Sequence, residues 1–194
     1  MLDTLPAMTA PIANPAPSDT LARWNSLDAD AAAREILPCC GSSAWASGVA
    51  ARRPYATPED LCEASDRIWA ALPEPDWHQA FDSHPRIGQR HARAATAASL
   101  AWSSDEQRAA RSSTDPNADP QEDATKLALA EANRQYEEKF HRIFIVCATG
   151  KSAAEILAIC NTRRNTSAAD ELLEAAEQQR QITQLRLRKW LGVS

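Results

Sequence analysis

Three short stretches carry residue types that could move protons or hold a polar ligand. The first is FDSHPRIGQR, residues 81–90, which places His84 directly before Pro85. Proline disfavours the α conformation in the residue before it, so His84 is pushed towards extended backbone, and Gly88 permits a tight bend. A histidine held this way is expected at the edge of an element, displayed instead of packed along a helix face. Its ordinary pKa of about 6.5 suits it to carry a proton near neutral pH. The competing reading is a solvated turn histidine. The second stretch is SSDEQ, where Ser103, Glu106 and Gln107 sit in the S-x-x-E arrangement of a capping box. There the serine side chain bonds the N3 amide and the glutamate bonds back to the cap amide. The same helix N-terminus could instead offer its free N–H groups and positive potential to a polar or anionic ligand. The third is NTRRNT, with Arg163 and Arg164 near a helix end. Cations are favoured there by the helix dipole, which makes a solvated role the default.

Other chemistries find no foothold. His78, His84, His91 and His141 form no HxxxH pair, and the cysteines do not complete a ligand set, so no metal site is expected. Neither a GxGxxG nor a P-loop is present, and nothing points to a nucleotide cofactor. Cys39 and Cys40 have no sequence support as nucleophiles beyond the thiols themselves.

The elements that must position these residues read as helices almost throughout. The chain has 194 residues, 44% hydrophobic and 24% charged, which fits one soluble globular domain with a tail. A net charge of −5 argues against a nucleic-acid partner, which would need a basic face. No apolar run approaches the ~20 residues that span a bilayer. The N-terminus lacks the basic region and apolar core of a secretory signal. The closing GVS is not a peroxisomal address. Five cysteines without a CxxC pair fit reduced thiols in a cytoplasm.

Residues 1–17, rich in Ala and Pro, are expected to form a disordered leader, with the domain running over 18–194. Ser18 or Asp19 could cap a first helix, and Asp28 a second that Pro38 and Gly41 would stop. Thr57 can cap a third with Pro58 at its first position. PEPDWHQAF leads into the HPRIG turn, and SSTDPNADPQED reads as a polar loop. Helix formers return from Lys126 to Phe140, and Ser152 to Leu191 reads as two helices broken around Asn165. IFIVCA is the only β-like run, too short and isolated to make a sheet. The fold class is all-α.

Taken in order, HPRIG, WSSDEQ, NRQYEEKFHRIFIVCATGKSAAEIL, TRRN and ITQLRLRKWL resemble one family throughout, the 2-oxo-4-hydroxy-4-carboxy-5-ureidoimidazoline (OHCU) decarboxylases. The likeness covers all but about the first twenty residues. It implies a compact single-domain helical bundle, commonly a homodimer, that forms (S)-allantoin in urate breakdown without metal or organic cofactor. By the same resemblance His84 is the proton donor, Glu106 is catalytic, and Pro85, Ser103 and Gln107 bind substrate. The run Phe144, Ile145, Val146, Cys147 and Ala148 is similar to the segment that presents backbone groups to the substrate ring. The site arginine falls on Arg163, counted from AEIL; family members tend to show R-L-x-N where this chain has RRNT, which leaves Arg164 as the alternative. RAAR also replaces the glycines often found after the E-Q pair.

These residue types suit the chemistry. The electrons left by departing CO2 can be held in the ring as an enolate-like intermediate, so neither PLP nor thiamine is needed. An arginine fork can orient the carboxylate and ureido groups, Glu106 and Gln107 can accept ring N–H groups, and a histidine can deliver a proton to one face. A non-catalytic helical interaction module and a related ureide lyase on the same fold are the alternatives. A transcriptional regulator would need a basic recognition helix that no stretch supplies.

Overall fold

The computed structural model describes the backbone of residues 17–85 and 120–193, and side chains from Asp19 to Pro85 and from Ala124 to Val193. Among these residues every regular element is a helix: α1 (Pro17–Asn25), α2 (Ala29–Cys40), α3 (Ser43–Ala50), α4 (Pro58–Ala70), α5 (Glu74–Asp82), α6 (Pro120–Phe140), α7 (Ala153–Arg163) and α8 (Ala168–Leu191). No helix among them is long and apolar enough to cross a membrane.

Local signals set most of the boundaries. Asp28 accepts from the Ala31 amide and starts α2. Thr57 and Asp60 exchange the two hydrogen bonds of a capping box at α4, with Pro58 in its first turn. Ser152 and Glu155 do the same at α7, and Ser167 caps α8. Three expectations shift. Helix α1 begins at Pro17, within the expected leader, and α6 begins at Pro120, inside the stretch expected as loop. Proline's fixed φ suits a first helical position, which is why both starts fall on one. Pro38 lies inside α2 instead of stopping it; the stop is Gly41, at φ 92°. The helix tolerates the proline three residues before its cap, and Gly41 takes the left-handed conformation that ends it.

Helix α8 organises the bundle, packing against α1, α2, α4 and α5. Its buried residues Glu171, Ala175, Ala176, Gln179, Ile182, Thr183, Arg186, Leu187 and Leu191 follow helical spacing along one stripe. Around it lies the main core, in which Trp24, Ile36, Trp45, Leu61, Phe81, Leu187 and Leu191 are all fully buried. Each such side chain contributes about 1.5–3 kcal/mol of transfer free energy. Trp24 knits the N-terminal helices together: its Nε1 donates to the Ala32 carbonyl at 3.0 Å, and its ring stacks on Tyr55 and meets Trp190 edge-on.

A second cluster forms where α6 packs on α7, around Tyr136, Phe140, Ile156 and Cys160. The extended run after α6 joins the two. Ile145 and Cys147 enter the main core, while Phe144 and Val146 enter the second cluster. This is the period-2 alternation of extended backbone, here buried on both faces. The run forms no strand; Ile145 O, Cys147 N and Cys147 O are bonded by side chains.

Candidate active site

His84 follows α5 after the single residue Ser83, and two close contacts determine where it sits. Its amide donates to the Phe81 carbonyl at 3.0 Å, and Ser83 Oγ donates to Ala80 O at 2.7 Å. The turn after α2 presses directly on this point. A Cβ on Gly41 would lie 2.2 Å from Ser83 Oγ, so only glycine allows α2 and α5 to meet here. On the other side Gln79 accepts from both the amide and the hydroxyl of Ser43, tying α5 to the start of α3.

The histidine lies beyond a helix end, as the sequence led us to expect, but its ring is not displayed. His84 is 9% exposed and Pro85 is also buried. The imidazole turns inward towards α8, where Arg186 and Gln179 act on it. Burial, reinforced by the Arg186 guanidinium, pushes its pKa from 6.5 down to about 3, and the Gln179 side chain opposes that shift. At neutral pH the ring is therefore uncharged. The sequence offered a free imidazole near its ordinary pKa; inward packing overrides that expectation.

Arg186 was not among the residues singled out in the sequence, where it is one of three basic residues in QLRLRKW. It is 1% exposed, and its Nη1 stands 3.5 Å from the Pro38 carbonyl. Its helical position could have given it away. It falls on the apolar stripe of α8, four residues from Ile182 and one from Leu187, where a solvated arginine has no place.

Of the two arginines in TRRN, Arg163 is the one that points inward. Arg164 is half-buried and bonds Asn161. Arg163 is 6% exposed and its guanidinium is engaged on several edges. Nε donates to both carboxylate oxygens of Glu171 at 3.1 Å, and Nη2 bonds Oε1 at 2.5 Å. Nη1 donates to Ile145 O at 2.8 Å, and the group lies over the Phe144 ring. Tyr136 completes the cluster by donating to Glu171. Arg163 thus fastens the Phe144–Ala148 run, while its partners are not those of His84.

That run is held at further points beyond Ile145. Cys147 N donates to Gln178 Oε1 at 2.9 Å, and Cys147 O accepts from Lys151 Nζ at 2.8 Å. Ala148 O accepts from the Lys151 amide. Phe144, Ile145, Val146 and Cys147 are buried and Ala148 is half-buried. Ser103, Glu106 and Gln107 lie outside the described residues. Among the described residues no group of three or more His, Cys, Asp or Glu is arranged to hold a metal ion.

The described residues thus hold a buried, neutral imidazole on which a buried arginine acts and, separately, a fastened run of backbone. Comparison with known proteins shows the family. The family model for OHCU decarboxylase matches residues 25–188. The uric acid degradation bifunctional protein TTL of Arabidopsis thaliana is 34% identical over 151 residues, or 78% of this chain and 44% of that protein. The chain thus spans less than half the length of that curated relative. Among solved structures, an OHCU decarboxylase crystallised in the presence of (S)-allantoin matches with a TM-score of 0.66 at 31% identity, covering 81% of this chain and 97% of that one. An (S)-allantoin synthase matches with a TM-score of 0.63 at 15% identity, covering 92% and 54%, a likeness of fold.

Proposed function

The chain belongs to the OHCU decarboxylase family, and from that premise we propose that it converts 2-oxo-4-hydroxy-4-carboxy-5-ureidoimidazoline into (S)-allantoin and CO2. The observation that carries the reading is that His84 and Arg186 are both buried and that the Arg186 charge acts on the imidazole. A neutral imidazole beside a buried cation is prepared for an anionic guest. The substrate carboxylate adds negative charge beside the imidazole as it binds, which lowers the electrostatic cost of imidazolium and draws a proton onto His84. The bond from the ring to the carboxylate then breaks, CO2 departs, and the electron pair stays in the ring. His84 gives its proton to the ureido-bearing ring carbon from one face, and solvent restores it. One-sided delivery makes a single enantiomer.

The other residues take supporting parts in this reading. Pro85 lines the pocket, and Ser103, Glu106 and Gln107 bind the ring, with Glu106 catalytic. The Phe144–Ala148 run meets the ring through its backbone, and Arg163 holds the run in place through Ile145 O. Neither metal nor organic cofactor takes part. The protein works as a cytoplasmic homodimer, with no membrane or nucleic-acid partner.

The test is direct. Pure protein is given freshly oxidised and hydrolysed urate, and loss of the OHCU absorbance is followed. Disappearance well above the spontaneous rate supports the reading. Decay at the spontaneous rate, with the protein folded, would leave the helical interaction module as the better account.

A further inference from the structure

Among the described residues, two buried polar atoms on facing elements lack hydrogen-bond partners: Nε2 of His84 and Oε1 of Gln179. Buried polar atoms are rarely left so, and each calls for a reason. Gln179 sits mid-way along α8, seven residues before Arg186, and is fully buried. The other end of its amide is pinned. Nε2 of Gln179 donates to the Cys40 carbonyl at 3.3 Å and to Thr183 Oγ1 at 3.2 Å, and Thr183 Oγ1 in turn donates to the Gln179 carbonyl at 3.0 Å. With the amide nitrogen committed, the oxygen is the atom left to face the imidazole. Gln179 also raises the proton affinity of His84, as a hydrogen-bond acceptor behind the ring does. The exposure of the two residues gives the order. Gln179 has none and His84 keeps a little, so Gln179 stands behind the histidine and substrate comes from the other side.

We infer that Gln179 is a positioning residue for His84: its Oε1 accepts the Nε2 hydrogen, fixes the tautomer, and leaves Nδ1 as the nitrogen that exchanges its proton with substrate. The two atoms close to full hydrogen-bond length when substrate binding charges the ring. A charged imidazole then has both hydrogens directed, one to Gln179 and one to the ring carbon. The logic is that of any general acid whose second nitrogen is held by an acceptor. Among the described residues, Arg186 from the same helix and the Cys40 thiol at the end of α2 are ionisable groups close to this pair. Neither can replace Gln179, since an arginine offers only donors and the thiol, its pKa pushed up by burial to about 12, stays neutral.

The inference rests on His84 as the proton carrier, but its first test does not require turnover. Nitrogen-15 spectra of the histidine-labelled protein at pH 7 should show His84 as the Nε2–H tautomer. The Nδ1–H tautomer in the wild-type protein would overturn the assignment, whatever the activity. The second test compares Q179M, which keeps the volume but removes the acceptor, with T183V, which only loosens the amide. Q179M should mix the tautomers and lower kcat about tenfold or more with KM little changed, as misdirected imidazoles do elsewhere. T183V should do the same more weakly. If both variants lose only thermal stability and keep kcat and the tautomer, Gln179 is packing alone. Loss of activity in H84N is scored separately, so failure of the catalytic reading and failure of this inference can be told apart.

Discussion

Burying a neutral histidine beside an arginine has a measurable cost in acid. The unfolded chain takes up a proton near pH 6.5, while the folded chain holds His84 neutral down to about 3. Protons therefore favour unfolding across that window. The contribution is intact above pH 6.5 and is lost progressively as pH falls towards 3, by up to a few kcal/mol. Denaturant titrations of wild type and H84N at pH 7 and pH 4 should show H84N losing less stability on acidification. Equal losses would place the acid sensitivity elsewhere. Arg186 has its own signature: R186Q should weaken substrate binding and raise the proton affinity of His84, read as a higher KM and an upward-shifted histidine titration. HPRIG announced a histidine outside a helix, and that much was legible. The direction of its ring was not, because it depends on α8, about a hundred residues away in the chain. Arg186 was missed for a related reason: QLRLRKW reads as a basic helix end until the stripe through Ile182 and Leu187 is drawn.

At the scale of elements, two junctions hold the site. At the first, α2 meets the end of α5 through Gly41 and Ser83. G41A would set a Cβ against Ser83 and force an unfavourable positive φ, a strain of about 1–2 kcal/mol before any clash is counted. It should lower both the melting temperature and turnover; a variant with wild-type kcat would show that this contact does not position His84. The second junction is the Arg163–Glu171–Tyr136 cluster between α6, α7, α8 and the Phe144–Ala148 run. Removing one charge leaves the other buried and unpaired, so R163L should cost about 3–5 kcal/mol. The double variant R163L/E171L should recover much of that stability, since neither charge remains. If Arg163 holds the run for substrate, the double variant should be folded but bind OHCU poorly. The extended character of IFIVCA was legible from its alternation. Its two-sided burial was not, because single-sequence patterning does not reveal that the run passes between two clusters instead of over a surface.

At the scale of the whole molecule, α1, α2, α4 and α5 gather on one long helix, α8, while α6 and α7 pack on each other and are tied to α8 through Tyr136 and Arg163 at Glu171. The all-α class was legible because caps, proline starts and helical spacing agree at most elements, and such consistency is what specifies a fold. The start of α6 was not, since a proline-bearing polar stretch reads alike as a loop or a helix N-terminus. The composition of residues 1–16 offers few large apolar groups, so deleting them should hardly move the melting temperature, and a drop of many degrees would mean that they dock. Dialysis against EDTA should likewise leave activity unchanged, whereas a loss restored by one metal would overturn the cofactor-free mechanism. The central claim is that His84 delivers the proton that sets the product's handedness. Circular dichroism of the product, followed as it forms from fresh OHCU, tests this most directly. The wild-type protein should yield (S)-allantoin at the rate of substrate loss. Folded H84N should be slower by roughly 10²–10⁴-fold and form product without handedness. (S)-Allantoin appearing from H84N at the wild-type rate would contradict the account.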